Sequence, residues 1–303
     1  MTGTSIVRTH GLTKHYGHTV ALRDLDLEVH RGEVFGYLGP NGAGKTTTLR
    51  LLMGLLRPTS GSAEVDGFDT WHQSVEVRRR VGYLSGEPAL YGKLTGIQNV
   101  DYLGHLRGND DSAVARRFAE RLDLDLGRPS RELSKGNRQK LAMVLALMSL
   151  PDLLVLDEPT GGLDPLAQQE FYAIIRETTD EGRSVLLSSH VLSEVQRVAD
   201  RVGVLREGRL IAVDRLATLR ERSLHHIRAT FADAVAPSDF ATLPGVRNLR
   251  VADHSLACSA PETALDSLIK EVGRHTVLDF ECAEAELEET FLAYYEKEAA
   301  HAS

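Results

Sequence analysis

The sequence is poor in the features that would tie it to a membrane, to a disulfide scaffold or to nucleic acid. Only two of its 303 residues are cysteine, Cys258 and Cys282. That excludes a disulfide framework and points to a reducing, cytoplasmic compartment. Long hydrophobic runs are missing. The most apolar stretch, Leu141–Leu150, stops at Pro151 and Asp152 and is too short to cross a bilayer. No apolar core follows a basic start at the N-terminus, so no signal peptide is expected. A role at a membrane would need the span of another chain. Basic residues are also outnumbered: 35 Lys and Arg against 43 Asp and Glu leave a net charge of −8. That argues against a general nucleic-acid binder, which presents a basic face.

What is present is globular. Hydrophobic residues make up 42% and charged ones 26%, a balance that buries a core and not that of a disordered chain. The length suggests one large and one small domain, with enough surface to bury that neither a metal nor a disulfide is needed. No internal repeat is visible. The first 35 residues read as short strands in which Val20, Leu22, Leu25, Leu27 and Val29 alternate with polar residues. Val34–Leu38 is an apolar run, hence a buried strand, and a helical stretch follows from Lys45 to about Leu56. From about Pro88 to Leu150 the pattern is helical, with breaks near Gly108 and Pro129. Leu153–Leu156, Val185–Leu187 and Val202–Leu205 are further buried strands, with helices over Pro165–Thr179 and Val191–Ala199 between them. Buried strands alternating with helices imply a mostly parallel sheet covered on both faces.

After Asp214 the character changes. Leu216–Arg222 reads as a helical connector. Strands over 225–232, 246–252, 255–260 and 276–282 then alternate with helices over 237–243 and 262–274. That βαββαβ order suggests a small ferredoxin-like α+β sandwich. A last helix, about 285–299, puts Leu287, Phe291, Tyr294 and Tyr295 on one face. The stripe either packs on its own domain or offers a partner surface.

The chemistry sits where strands end. Gly39-Pro40-Asn41-Gly42-Ala43-Gly44-Lys45-Thr46 fits G-x-x-x-x-G-K-[ST] between a strand and a helix. Glycines let successive N–H groups turn toward a phosphate, and the helix N-terminus adds partial positive charge. Lys45 is expected to reach the β- and γ-phosphates and the Thr46 hydroxyl to bind Mg²⁺. Asp157 and Glu158 close the strand Leu153–Leu156. Asp157 is expected to hold Mg²⁺, and Glu158 to polarise the attacking water.

Over about residues 5–215 these features resemble the nucleotide-binding subunit of an ABC transporter. Leu133-Ser134-Lys135-Gly136-Asn137 looks like the family signature L-S-G-G-Q, and Gly162-Leu163-Asp164 like its D-loop. Ser188-Ser189-His190, ending a strand, resembles the switch histidine, and Tyr16 the aromatic that stacks on adenine. The resemblance implies an α/β P-loop NTPase of ABC type over residues 1–215: a mostly parallel sheet, an N-terminal antiparallel β subdomain and a helical subdomain over about 88–150. The small α+β domain, 216–303, completes the chain. It implies ATP and Mg²⁺ as cofactors. Tyr16, residues Gly39 to Thr47, Ser134, Gly136, Asn137 and Asp164 would contact nucleotide. Thr46 and Asp157 would hold the metal, and Lys45, Glu158 and His190 would serve catalysis. Ser134 is a good helix N-cap, whose helix aims its positive end outward. In the family that end meets the γ-phosphate held by a second protomer, so two chains sandwich ATP head to tail.

The resemblance further implies separate membrane-spanning partner subunits, a place on the cytoplasmic face of the cell membrane and no nucleic-acid partner. The apolar residues Pro88, Leu90, Tyr91 and Leu94 of the segment Glu87–Thr95 either pack as a core loop or, as the resemblance implies, dock a membrane subunit. Four positions depart from the family: Gly86, followed by Glu87, stands where a glutamine is usual, Lys135 and Asn137 replace a glycine and a glutamine of the signature, and Gly161 stands where many relatives have a serine or threonine, a change to which no consequence attaches. The Gly86 variant, Asn137 and the small C-terminal domain look like the drug and antibiotic exporter branch. Two other readings stay open: a soluble ABC-type ATPase in repair or translation, and a regulatory nucleotide-binding module of low turnover.

Overall fold

Where apolar residues alternate with polar ones the chain forms a half-exposed antiparallel sheet, and where they run unbroken it forms a buried parallel one. The computed structural model describes residues 5–216, 218 and 224–284. The chain divides into two units, Met1–Asp214 and Arg215–Ser303. The first unit runs β1 (Ser5–Tyr16), β2 (Thr19–Leu25), β3 (Glu28–His30), β4 (Val34–Leu38), α1 (Lys45–Leu52), β5 (Ser60–Val65), β6 (Phe68–Asp69), α2 (Ser74–Arg80), β7 (Val81–Leu84), α3 (Gly96–Arg107), α4 (Ser112–Arg121), α5 (Lys135–Leu147), β8 (Leu153–Asp157), α6 (Pro165–Asp180), β9 (Ser184–Ser189), α7 (Leu192–Val198), β10 (Arg201–Arg206) and β11 (Arg209–Arg215).

Strands β1, β2, β3, β5 and β6 make the antiparallel sheet. The second sheet has six strands in the order β11-β10-β4-β9-β8-β7, and the pairs from β10 to β7 are parallel. β4, β8 and β9 are buried at every position. Helices cover such strands on both faces, so each reads as a continuous apolar run without alternation. Helix α7 lies against β4 at Gly36, where a Cβ would meet Val195 Cγ1 at 2.2 Å and Ala199 Cβ at 3.2 Å. The glycine lets the helix seat on the strand.

The helical region departs from the pattern expected of its sequence. Pro88–Leu94 is not helical, and α3 begins only at Gly96. A capping box stops it there: the Thr95 hydroxyl accepts from Gln98 N, and the Gln98 side chain accepts from Thr95 N. The buried Asn99 fastens the preceding loop. Its amide donates to Thr95 O and to Ser130 Oγ, both at 2.9 Å, and its oxygen accepts from Tyr91 N at 3.1 Å. A buried amide such as that of Asn99 needs such partners.

The second unit contains β12 (Leu224–Phe231), α8 (Pro237–Ala241), β13 (Arg247–Ala252), β14 (Ser255–Pro261), α9 (Glu262–Val272) and β15 (Val277–Glu284). Its four strands pair antiparallel in the order β13-β14-β12-β15. Ile227, Phe231, Phe240, Leu256 and Leu268 build a separate core. The connector expected over Leu216–Arg222 lies largely outside the described residues, and the final helix expected over 285–299 lies wholly outside them.

The Gly36 contact is testable. Gly36→Ala forces β4 and α7 apart and is expected to destabilise the protein by about 1–3 kcal/mol, the usual cost of overpacking a tight core. Denaturant unfolding measures it, and an unchanged midpoint would show that the helix yields without cost.

Candidate functional site

Three positions of the turn between β4 and α1, Gly39, Gly42 and Gly44, call for glycine. Gly42 and Gly44 have φ of 82° and 111°, the left-handed region that penalises a Cβ. At Gly39 a Cβ would meet Leu205 O at 2.4 Å, and at Gly44 it would meet Ala21 O at 2.5 Å. The backbone of β2 and of the β10–β11 corner thus presses on the turn. Gly208 N also donates to Ala43 O at 2.9 Å, and Gly39 N to Ser189 O at 3.3 Å. The turn is braced from outside its own segment.

Lys45 folds back over this turn. Its buried ammonium donates to Gly39 O at 2.5 Å and to Pro40 O at 3.3 Å, and it lies 3.4 Å from Glu158 Oε1. Thr46 Oγ1 donates to Asp157 Oδ2 at 2.8 Å, and Ser188 Oγ donates to Asp157 Oδ1 at 2.6 Å. Asp157, at the tip of β8, is 2% exposed, so each carboxylate oxygen needs its donor. Glu158 follows with φ of 48°, a strained turn conformation for a non-glycine residue. Its N–H donates to Ser188 O at 3.2 Å, and its Oε2 meets His190 Nδ1 at 2.7 Å. Lys45, Thr46, Asp157, Glu158 and His190 therefore converge at the carboxyl ends of β4, β8 and β9, where open α/β sheets bind ligands.

The remaining predicted residues lie elsewhere. Ser134 caps α5, its oxygen accepting from Asn137 N at 3.1 Å. Gly136 abuts the loop before α6: a Cβ there would lie 2.6 Å from Gly162 O. Asp164 caps α6 by accepting from Ala167 N at 2.9 Å, and Lys140 Nζ lies 3.6 Å from it. The Ala167 bond, with the Lys140 charge beside it, holds the Asp164 carboxyl below its ordinary pKa. Among the described residues no hydrogen bond or ion pair joins 134–137 to 39–46. Tyr16 ends β1 with its ring 46% exposed and Lys14 Nζ 5.3 Å from the ring centroid. Pro40, Asn41 and Gly42 are exposed, and Thr47 is half-buried. Gly86 stands beside Asp157, where a Cβ would lie 3.7 Å from Oδ2. That is an ordinary contact, so packing does not demand a glycine there.

The donor set fits a hard cation. Thr46 and Asp157 offer one hydroxyl and one carboxylate, the sparse oxygen ligation that Mg²⁺ takes when phosphates and water supply the rest. Among the described residues there is no group of three or more His, Cys, Asp or Glu that could hold a metal unaided. Two residues have roles at the site that the motifs do not give. Ser188 is Asp157's partner in the parallel register of β8 and β9, and that register is the signal that marks it. Gln139, on the inner face of α5, donates to Pro159 O at 2.9 Å, and nothing in its sequence context announces this.

Residues 22–161 match the family described as ABC transporter. That span holds the glycine turn, the 133–137 segment and the Asp157–Glu158 pair, and His190 lies past it. Over 211 residues the chain is 43% identical to the daunorubicin resistance ATP-binding protein DrrA3 of Streptomyces coeruleorubidus, covering 68% of this chain and 67% of that one. The chain belongs to the ATP-binding subunits of the ABC transporter family. It is also 39% identical over 215 residues to the probable multidrug ABC transporter ATP-binding protein YbhF of Escherichia coli K12, covering 69% of this chain. The match spans 37% of the length of that relative. A solved structure described as the ATP binding subunit of an ABC transporter superposes with a TM-score of 0.66 at 30% identity, over 72% of this chain and 93% of that chain. The α/β fold of the first unit is thus the ABC ATPase fold.

Ser188 supplies the site's own stability test. Ser188→Ala leaves a buried carboxylate oxygen of this ABC subunit without its donor and is expected to cost about 1–3 kcal/mol. Thermal unfolding without nucleotide measures it, and an unchanged melting temperature would show that Asp157 does not depend on Ser188.

Proposed function

We propose that this chain binds and hydrolyses ATP to power an ABC exporter whose membrane-spanning subunits are separate chains. The observation that carries this reading is the convergence of Lys45, Thr46, Asp157, Glu158 and His190 beside the glycine turn. The N–H groups from Asn41 to Thr47 that are not tied to carbonyls turn to the phosphates, Gly39 and Pro40 form the rim of the cradle, and Lys45 exchanges its carbonyl partners for phosphate oxygens. Tyr16 offers its exposed ring to the adenine. Thr46 and Asp157 hold Mg²⁺, which when bound neutralises charge on the phosphates. Glu158 orients and polarises the attacking water, and His190 holds Glu158 and faces the γ-phosphate.

Ser134, Gly136, Asn137 and Asp164 act on a second copy. Their helix N-terminus offers partial positive charge to the γ-phosphate held by the partner's glycine turn. Two copies close head to tail over two ATP molecules, and hydrolysis removes the bridge that holds them. The separation of the two clusters within one chain supports this arrangement.

The membrane subunit docks at a groove of about 380 Å³ lined by Leu84, Pro88, Leu90, Leu103, Arg107 and Leu145. Tyr91 stands exposed beside it, edge-on to Tyr102 at 4.8 Å between ring centroids. Such an apolar groove suits a short helix from a partner. Among the described residues no helix is long and apolar enough to cross a membrane, so in this reading docking is what places the chain at the cytoplasmic face. The relatives named for multidrug and daunorubicin resistance support a small molecule such as a drug or antibiotic as cargo.

Two measurements test the reading. ATP with Mg²⁺ is expected to raise the melting temperature of the wild type, and Lys45→Ala to abolish that rise. An equal rise in the variant would remove the glycine turn from nucleotide binding. Glu158→Gln slows hydrolysis without removing the site, so with saturating ATP it is expected to elute from a sizing column as a dimer. A monomer under those conditions would contradict the shared site.

A further inference from the structure

Glu194 belongs to none of the motifs, yet both of its carboxylate oxygens are engaged. It sits in the first turn of α7. Thr160 Oγ1 donates to its Oε1 at 2.5 Å, and Ser189 Oγ donates to its Oε2 at 2.6 Å. Both hydroxyls belong to buried residues, Thr160 at 4% exposure and Ser189 at 0%. Short O–H···O⁻ bonds are the strong class of hydrogen bond, and buried donors have no water to fall back on. Ser189 Oγ also accepts from Val191 N at 2.9 Å, so the hydroxyl's orientation is determined from both sides.

The two donors come from the loops that matter most. Thr160 lies between Glu158 and Asp164, and its carbonyl accepts from Leu163 N at 3.0 Å, which makes it the root of the turn leading to Asp164. Ser189 immediately precedes His190. One carboxylate thus ties the loop of Glu158 and Asp164 to the loop of His190 from behind the site. Other groups near Glu194 are Tyr172 of α6 and Arg197 of α7. Burial, then the Glu194 charge, pushes the Tyr172 phenol up to about 12, and the Arg197 guanidinium lies 5.6 Å from that ring's centroid.

We propose that Glu194 is a positioning residue for ATP hydrolysis. It sets the 2.7 Å contact between Glu158 and His190, and it transmits movement of the Asp164 loop, which meets the second copy, to His190. The inference rests on the ATPase reading above. A carboxylate that only stabilised the fold would lower the melting temperature and leave turnover per folded molecule unchanged. One that positions Glu158 and His190 lowers kcat and spares nucleotide binding.

The experiment is steady-state ATP hydrolysis by the purified full chain with Mg²⁺. Glu194→Ala is expected to lower kcat by between about tenfold and a hundredfold, the cost of misplacing catalytic groups by about an ångström, with KM for ATP and the ATP-induced melting shift unchanged. Glu194→Gln keeps the shape and one acceptor oxygen and is expected to recover most of the lost rate. His190→Ala with Glu194→Ala together are expected to lose clearly less than the product of the two single losses, since Glu194 acts in part through His190. If Glu194→Ala does not fold, Thr160→Val removes one donor at constant volume, and its cycle with His190→Ala answers the same question. A wild-type kcat in Glu194→Ala, or rate losses that multiply in the double variant, overturns the inference and leaves the ATPase reading standing. A wild-type chain that binds ATP but never turns it over overturns both.

Discussion

The site depends on one carboxylate held between two hydroxyls. Asp157 ends β8, Thr46 lies in the first turn of α1 beyond β4, and Ser188 is the last residue but one of β9. Because these strands lie side by side and parallel, their ends come level, and Asp157 locks them there. Lys45 and Glu158 stand next to the two members of the Thr46–Asp157 bond, so they meet across it. His190 directly follows β9 and reaches Glu158 from the third side. A slip of the β8–β9 register would separate all of these groups at once.

The glycine turn and the acidic strand end were legible because each is contiguous and obeys a local rule. G-x-x-x-x-G-K-T needs φ values that its own glycines provide, and Leu153–Glu158 is a buried strand that stops at charge. The four strands and two helices after Asp214 were legible from their spacing. Contacts made across the fold were not. Ser188 matters only because register places it opposite Asp157, and Glu194 only because α7 turns back beneath two loops. Gln139 faces inward on a helix whose sequence does not say which face is inward. The segment Pro88–Leu94 reads as helical by pattern but forms a loop, and α3 begins only at Gly96. The Thr95–Gln98 capping box and Asn99 were the local signals that mark the true boundary.

The two clusters of site residues differ in how they are built. Around the glycine turn, side chains bond to one another across strands and satisfy buried charge. Around Ser134 and Asp164, side chains cap the first turns of α5 and α6, with Lys140 of α5 beside Asp164, and both caps are exposed. A catalytic centre needs the first kind of order, and a surface that meets another molecule suits the second. Gly136 and Gly162 press these caps together, and Gln139 ties α5 to the Glu158–Pro159 turn. Movement of one cluster therefore has a covalent and hydrogen-bonded route to the other.

The central claim is that a phosphate cradle in one chain is completed by a second copy. Specific ATPase activity measured over a wide range of protein concentration tests it most directly. The account predicts that turnover per chain falls steeply on dilution and levels off once the dimer is saturated. Turnover per chain that stays constant down to the lowest measurable concentration, with the protein monomeric throughout, would contradict it.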